Sequence, residues 1–404
     1  MRSRFGLNGL NFFTAAIQAG FGPFIAVWLT QNGWSLEAIG IALSIGTTAQ
    51  LLAQVPGGYL VDHIHRKRYA VAGALIGLGG AAVLLALVPS RHAVWGAEIL
   101  HSATSTVLTP AIAALTLTLC GHDNFSSRLG QNVRYASLGA AGSAALLGFA
   151  ASIESNRSVF LVTAALVIPA LATLLLIHPA DEVDPTDDHS ALLHPAEREH
   201  PSWSIFQEPA LHLFAVALAL FQLANAGLLP AALNHLTRHG HAPGYIVSAC
   251  IIVPQVIVAV FSPWAGALAE RIGRRPVLLV GFAAVPLRAV LFATLPGALP
   301  TVAMEALDGV SAAVIGLMLP LIAADVTKQS GYLNFAIGSL GLASSLGAIF
   351  STTMAGFVAE RFGDPAAFLC LGAAGAAGLV LLAIAMPETR PERSRDVEKA
   401  TLPA

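Results

Sequence analysis

Runs of about twenty apolar residues recur from one end of the chain to the other, separated by short polar loops. A helix of that length crosses roughly 30 Å of hydrocarbon, the thickness of a bilayer core. Backbone groups in lipid meet no water, so each run must satisfy its own hydrogen bonds, as a helix does. A β-barrel would need strands of roughly ten residues with alternating polarity, and these runs do not alternate. Charge agrees with the membrane reading. Of 404 residues, 55% are hydrophobic and only 11% charged, against about 25% charged in a soluble domain. A net charge of −2 carries no footprint for a nucleic-acid partner. Cys120, Cys250 and Cys370 lie in or at the ends of apolar runs. They have no disulfide or zinc spacing and read as apolar filler.

Twelve spans are expected, at roughly 8–30, 38–60, 69–88, 93–119, 128–151, 158–178, 208–235, 243–268, 276–295, 299–324, 334–358 and 365–386. Arg2 and Arg4 precede the first run as in a signal peptide, but that run continues to about Thr30. It is too long for an h-region and is read as a span that stays in place. The spans fall into two sets of six, 1–178 and 205–386, joined by a polar linker at 179–204 and followed by a tail at 387–404. The linker composition, with Asp181, Glu182, Asp184, Asp187 and Asp188, fits a flexible connection. Twelve spans put both termini on one side. That side collects most of the basic residues, while the other holds Arg91, Arg157, Arg238 and Arg361. The positive-inside rule makes the richer side cytoplasmic. Trp28, Trp34, Trp95, Trp203 and Trp264 fall at or just beyond span ends, where amphipathic rings prefer the interface.

The two sets repeat one another. Gly58-Tyr59-Leu60-Val61-Asp62-His63-Ile64-His65-Arg66-Lys67-Arg68, after span two, recurs as Gly266-Ala267-Leu268-Ala269-Glu270-Arg271-Ile272-Gly273-Arg274-Arg275, after span eight. Gly58 to Gly266 is a shift of 208. Leu29-Thr30-Gln31-Asn32-Gly33 matches Leu236-Thr237-Arg238-His239-Gly240 at 207, and Gly148-Phe149 matches Gly356-Phe357 at 208. Parallel repeats of six spans are a known build of secondary transporters. Two six-helix halves, a linker and this loop resemble the major facilitator superfamily, whose loop reads Gly-x-Leu-x-Asp-x-x-Gly-Arg-Lys/Arg. Gly58, Leu60, Asp62, Arg66 and Lys67 match, and His65 replaces the second glycine. The second copy keeps Gly273 and carries Glu270 for the aspartate. The resemblance implies an all-α membrane fold of two pseudo-symmetric bundles, with spans one, four, seven and ten lining a central cavity. It also implies a cytoplasmic gate at Gly58, Asp62, Arg66, Lys67, Gly266, Glu270, Arg274 and Arg275, with Asp62 facing the start of span eleven near Asn334.

Ionisable groups inside spans are costly and therefore informative, at about 2.5–3.5 kcal/mol each at a span centre on insertion scales. Span four carries Glu98 and His101, and span ten carries Glu305 and Asp308. Each pair is spaced i, i+3 and shares one helix face. Both pairs are related by the 207-residue shift, as are Gln18 in span one and Asn225 in span seven. Asp308, Glu305, Glu98 and His101 are the candidates for handling protons, because a carboxylate withdrawn from water can load and release one near neutral pH. The plain alternatives are interfacial carboxylates reaching water and a packing histidine. Gln18, Asn225 and Arg288 are cavity candidates. Arg288 in span nine lies at about the depth of Asp308, so an ion pair is expected, with contact to an anionic substrate as the alternative. Arg134 in span five can snorkel to the headgroups.

Two features depart from the resembled family. Glu98 stands where the family often has arginine, and Gly139-Ala140-Ala141-Gly142-Ser143 in span five lacks the proline of its drug antiporters. The pairs His63/His65 and His239/His241 lack neighbouring acids or cysteines and read as solvated loops, so no metal is expected. There is no Gly-x-Ser-x-Gly, Walker or His-Glu-x-x-His sequence. Neither an enzyme nor an ATP-driven pump is expected, and no cofactor. The expected activity is proton-coupled export of a small organic compound by a monomer in the inner membrane. Import or exchange of an organic anion is the alternative, and a non-transporting receptor is a remote third.

Overall fold

The computed structural model describes residues 2–19, 21, 25, 28–29, 32–88, 90–121, 124–153, 156–178, 208–238, 244–328 and 332–390. The expected linker at 179–204, the tail beyond residue 390 and His239/His241 lie outside the described residues. Among the described residues the secondary structure is helical. The helices are α1 (Arg2–Ala19), α2 (Leu36–His63), α3 (Lys67–Leu87), α4 (Arg91–Cys120), α5 (Phe125–Ile153), α6 (Asn156–Leu175), α7 (Pro209–Asn225), α8 (Leu228–Arg238), α9 (Gly244–Arg271), α10 (Arg274–Thr294), α11 (Ala298–Val326), α12 (Leu333–Phe362) and α13 (Asp364–Ala385).

Ten spans among these are long and apolar enough to cross a membrane, counting Pro209–Leu236 as one. Helices α1 and α5 supply the other two expected spans. They are less apolar because Asn8, Asn11 and Thr14 interrupt α1, and Arg128, Gln131, Asn132 and Arg134 interrupt the first turns of α5. Span seven is two helices rather than one. The chain turns at Ala226–Gly227, where the Gly227 amide donates to the Ser351 hydroxyl at 2.7 Å and replaces a bond of the helix ladder. Helix starts follow the local chemistry. Ser35 and Ser90 accept from the amides of Ala38 and Ala93 at 3.2 and 3.3 Å, each relieving one unpaired donor of a first turn.

Two compact units emerge. One comprises 1–125, 131–198 and 331–339, and the other 126–130, 199–330 and 340–404. In the first, α3 packs on α4 and α6, α2 on α4, and α1 on α6. In the second, α10 packs on α11 and α13, α9 on α11, and α7 on α13. The repeat seen in the sequence is therefore a repeat of packing partners. Leu75, Leu78, Leu85, Val94 and Phe160 form the buried centre of the first unit. Small residues let backbones touch, as expected where lipid removes the usual hydrophobic drive between helices. A side chain at Gly139 of α5 would strike the Phe12 carbonyl of α1, and one at Gly347 of α12 would strike the Ala219 carbonyl of α7.

Candidate functional site

The second unit holds a buried ionic cluster on α7, α10 and α11. The Arg288 guanidinium is 1% exposed. Its Nη1 lies 3.2 Å from Glu305 Oε2 and 2.7 Å from Asp308 Oδ1. Its Nη2 donates to Asn225 Oδ1 at 2.7 Å. Glu305 is fully buried, while Asp308 keeps 23% of its side-chain surface exposed. The i, i+3 spacing aims both carboxylates at one side of α11, and α10 packs directly on that helix. The ion pair expected from depth is present, with Glu305 as a second acceptor. A guanidinium can serve this many acceptors because its donors form a fixed planar fork. Two carboxylates face one cation, so the charge of Arg288 is already matched within the protein.

The first unit holds the related pair without the cation. Glu98 is 5% exposed. Its Oε1 has no hydrogen-bond partner, and neither oxygen makes an ion pair among the described residues. A side chain at Gly46 of α2 would strike Oε2, so the carboxylate lies directly over that glycine. One turn on, the His101 ring stacks on Phe21 with centroids 4.0 Å apart and planes at 13°. Its Nδ1 is buried and has no partner. Residues Gly80 and Ala81 stand where the repeat would put an arginine. Both glutamates were open to an interfacial reading from sequence, yet both are withdrawn from solvent by neighbouring helices. Gln18 is half-buried on α1, and Arg134 is exposed on α5.

The signature loops end in two helix caps. Asp62 Oδ1 accepts from the Asn334 amide at 3.1 Å and from Asn334 Nδ2 at 2.6 Å, and Oδ2 accepts from the Phe335 amide at 2.8 Å. A carboxylate there meets the positive end of α12. Glu270 Oε1 accepts from the Ser127 amide at 2.8 Å at the start of α5. Glycines bring the backbones close enough. A side chain at Gly58 would strike the Asn334 carbonyl, and one at Gly266 would lie 2.8 Å from the Ser126 carbonyl. Lys67 donates to the Val61 and Ile64 carbonyls at 2.9 and 2.8 Å and so closes the end of α2. Arg66 is exposed.

Arg274 and Arg275, expected from the sequence as gate residues, belong to a third network whose other members sequence reasoning missed. Arg274 is buried against Asp325 at 3.0 Å. Glu388 accepts from the Arg274 and Arg275 amides at 2.8 and 3.1 Å, capping α10 from beyond the last span. Arg390 Nη1 donates to the Arg271 carbonyl at 2.6 Å, and Arg275 donates to the Ala383 carbonyl. The only available signal was an acid and an arginine two residues apart after the final apolar run. No group of histidines, cysteines and acids among the described residues could hold a metal ion.

Comparison with known proteins fits this arrangement. The sequence model of the MFS_1 like family matches residues 5–327. An uncharacterised MFS-type transporter of Mycobacterium tuberculosis is 33% identical over 403 residues, covering 98% of this chain and 96% of its own. Multidrug resistance protein 1 of Bacillus subtilis is 34% identical over 174 residues, covering 40% of this chain and 41% of its own. Among solved structures, the proton:xylose symporter XylE bound to 6-bromo-6-deoxy-D-glucose aligns with a TM-score of 0.74 at 15% identity, covering 96% of both chains. At that identity the likeness is one of fold. The chain is a multi-pass membrane protein and not an enzyme, and it belongs to the MFS_1-like family of major facilitator superfamily transporters.

Proposed function

We propose that this transporter exports a small organic compound in exchange for protons. It would work as a monomer in the inner membrane with both termini in the cytoplasm. One observation carries the reading: acids withdrawn from water stand at repeat-related positions of α4 and α11, Glu98 in one and Glu305 with Asp308 in the other. Burial is costly for every such group, so an acid kept there without a cation among the described residues, as Glu98 is, points to function, and a proton is the smallest cargo a carboxylate can take and release. The partial match to a multidrug resistance protein supports the outward direction. Alternating access would move residues 1–178 against 205–386, with the caps at Asp62 and Glu270 as cytoplasmic latches that must open and reform. Anion exchange loses its main motive, because Glu305 and Asp308 already match the charge of Arg288.

The test begins with a compound screen by thermal stabilisation of the purified protein. The selected compound is then loaded into proteoliposomes under an imposed pH gradient. Proton-driven movement of the compound, accompanied by proton counterflow, is expected. Flux indifferent to the gradient would refute proton coupling. In cells, loss of the protein should raise the internal level of that compound, whereas lost uptake would mark an importer.

A further inference from the structure

Four buried polar atoms on α4 have no protein partner among the described residues: Trp95 Nε1, Glu98 Oε1, His101 Nδ1 and Ser105 Oγ. Their spacing of three, three and four residues keeps them on one face of the helix, over roughly 15 Å of its length. Buried polar atoms in native proteins nearly always find a partner, and where protein supplies none, water does. One such atom is an accident of packing. Four in register form a track. Ser102 adds a further hydroxyl beside Glu98, since both side chains face Gly46.

The repeat sharpens the point. The corresponding positions on α11 are Val302, Glu305, Asp308 and Ala312, apolar at both ends. There Glu305 Oε1 is likewise buried without a hydrogen-bond partner, but both acids are ion-paired with Arg288. On α4 the ends are polar and the acid has no cation. Among the described side chains, the helices packed on α4 keep their titratable groups in end turns: Arg4 on α1; Tyr59, Asp62 and His63 on α2; and Lys67, Arg68 and Tyr69 on α3. None of them pairs with Glu98. Phe21 fixes the plane of His101 by stacking, which leaves Nδ1 directed by the ring rather than by a protein acceptor.

We propose that the face of α4 bearing Trp95, Glu98, His101 and Ser105 is a hydrated proton path, and that Glu98 is the group that loads and releases the proton. The ionic cluster around Arg288 is then a fixed element that does not change protonation during transport. Gly46 acts as a positioning residue, because any side chain there displaces the carboxylate. This assignment rests on the proton-coupled reading above and divides labour between its two acid clusters.

Infrared difference spectroscopy of the full-length protein in detergent, recorded while pH is changed, reads the carboxylic-acid carbonyl band without needing a substrate. The wild type should show such a band, shifted in heavy water. Glu98→Gln should lose it, Glu98→Asp should move it, and Asp308→Asn and Glu305→Gln should keep it. Trp95→Phe and Ser105→Ala should keep the band but slow its exchange into heavy water. A band that survives Glu98→Gln, or exchange unaffected by both track substitutions, would overturn the path. If gradient-driven flux is present in that case, the transport reading stands. A Glu98 band in a protein with no gradient-driven flux would overturn the coupled reading, and the path's role with it. Glu98→Asp keeps the test decisive if the glutamine variant does not fold.

Discussion

Arg288→Met isolates what the ionic cluster of the second unit contributes to stability. The guanidinium is 1% exposed and reaches Glu305, Asp308 and Asn225 at 3.2, 2.7 and 2.7 Å. Methionine is apolar and flexible enough to occupy much of the same space, but it carries no charge. Two carboxylates then share an apolar site with no cation. Removing one member of a buried ion pair costs about 3–5 kcal/mol. Asp308 keeps 23% of its surface exposed, which lets water screen part of its charge and favours the lower end, about 3 kcal/mol. For a folded unit of roughly 200 residues, 1 kcal/mol moves the melting temperature by about 2–4 °C. The expected fall is therefore roughly 6–12 °C, read by thermal unfolding in detergent. The companion variant Arg288→Met/Glu305→Met/Asp308→Leu contains no charge and no polar group at these three positions. Replacing a buried ion set by well-packed hydrophobic residues of similar volume is often neutral or stabilising. It should melt near the wild type. Wild-type melting of Arg288→Met, or a triple variant as unstable as the single, would refute the reasoning.

Asp62→Asn removes the carboxylate from the start of α12, where it accepts three hydrogen bonds. A charge at a helix N-terminus is worth about 0.3–1 kcal/mol, and up to about 2 when partly buried. Transport at equal expression should fall, and unchanged transport would count against the latch. Gly58→Val drives a side chain into the Asn334 carbonyl and should reduce both folded yield and transport. Gly356→Ala meets nothing within 4 Å and should match the wild type in both measurements.

Much of this was legible in the sequence because membranes simplify the problem. Hydrocarbon leaves the backbone little choice but helices, so apolar length alone located the spans. The repeat carried more than fold. Knowing that Glu98 and Glu305 correspond directs attention to what surrounds each, and the difference between Gly80-Ala81 and Arg288 is visible in one dimension. The Arg288–Asp308 pair followed from equal depth in antiparallel neighbours. What did not follow was burial. Counting residues from a span end made Glu305 seem near water, but side-chain exposure depends on neighbouring helices, and Glu305 is fully buried. The turn at Gly227 was hidden for a related reason. Glycine is common inside membrane helices, and the partner that takes up the freed amide here is the hydroxyl of Ser351, 124 residues away. The cap by Glu388 on α10 spans 114 residues and has no periodic signature at all.

The exchange of short segments between the two units has a consequence for how the protein is made. Residues 331–339 complete a unit built otherwise from the first half of the chain. Asp62 leaves the ribosome 272 residues ahead of Asn334, its partner. At about 5–20 residues per second the delay is roughly 15–50 s. All the helices of the first half are thus made well before Asn334, and the Asp62 carboxylate meets its helix end only when α12 arrives. The first bundle must therefore keep an uncapped loop carboxylate from the time its own helices are made until α12 is inserted.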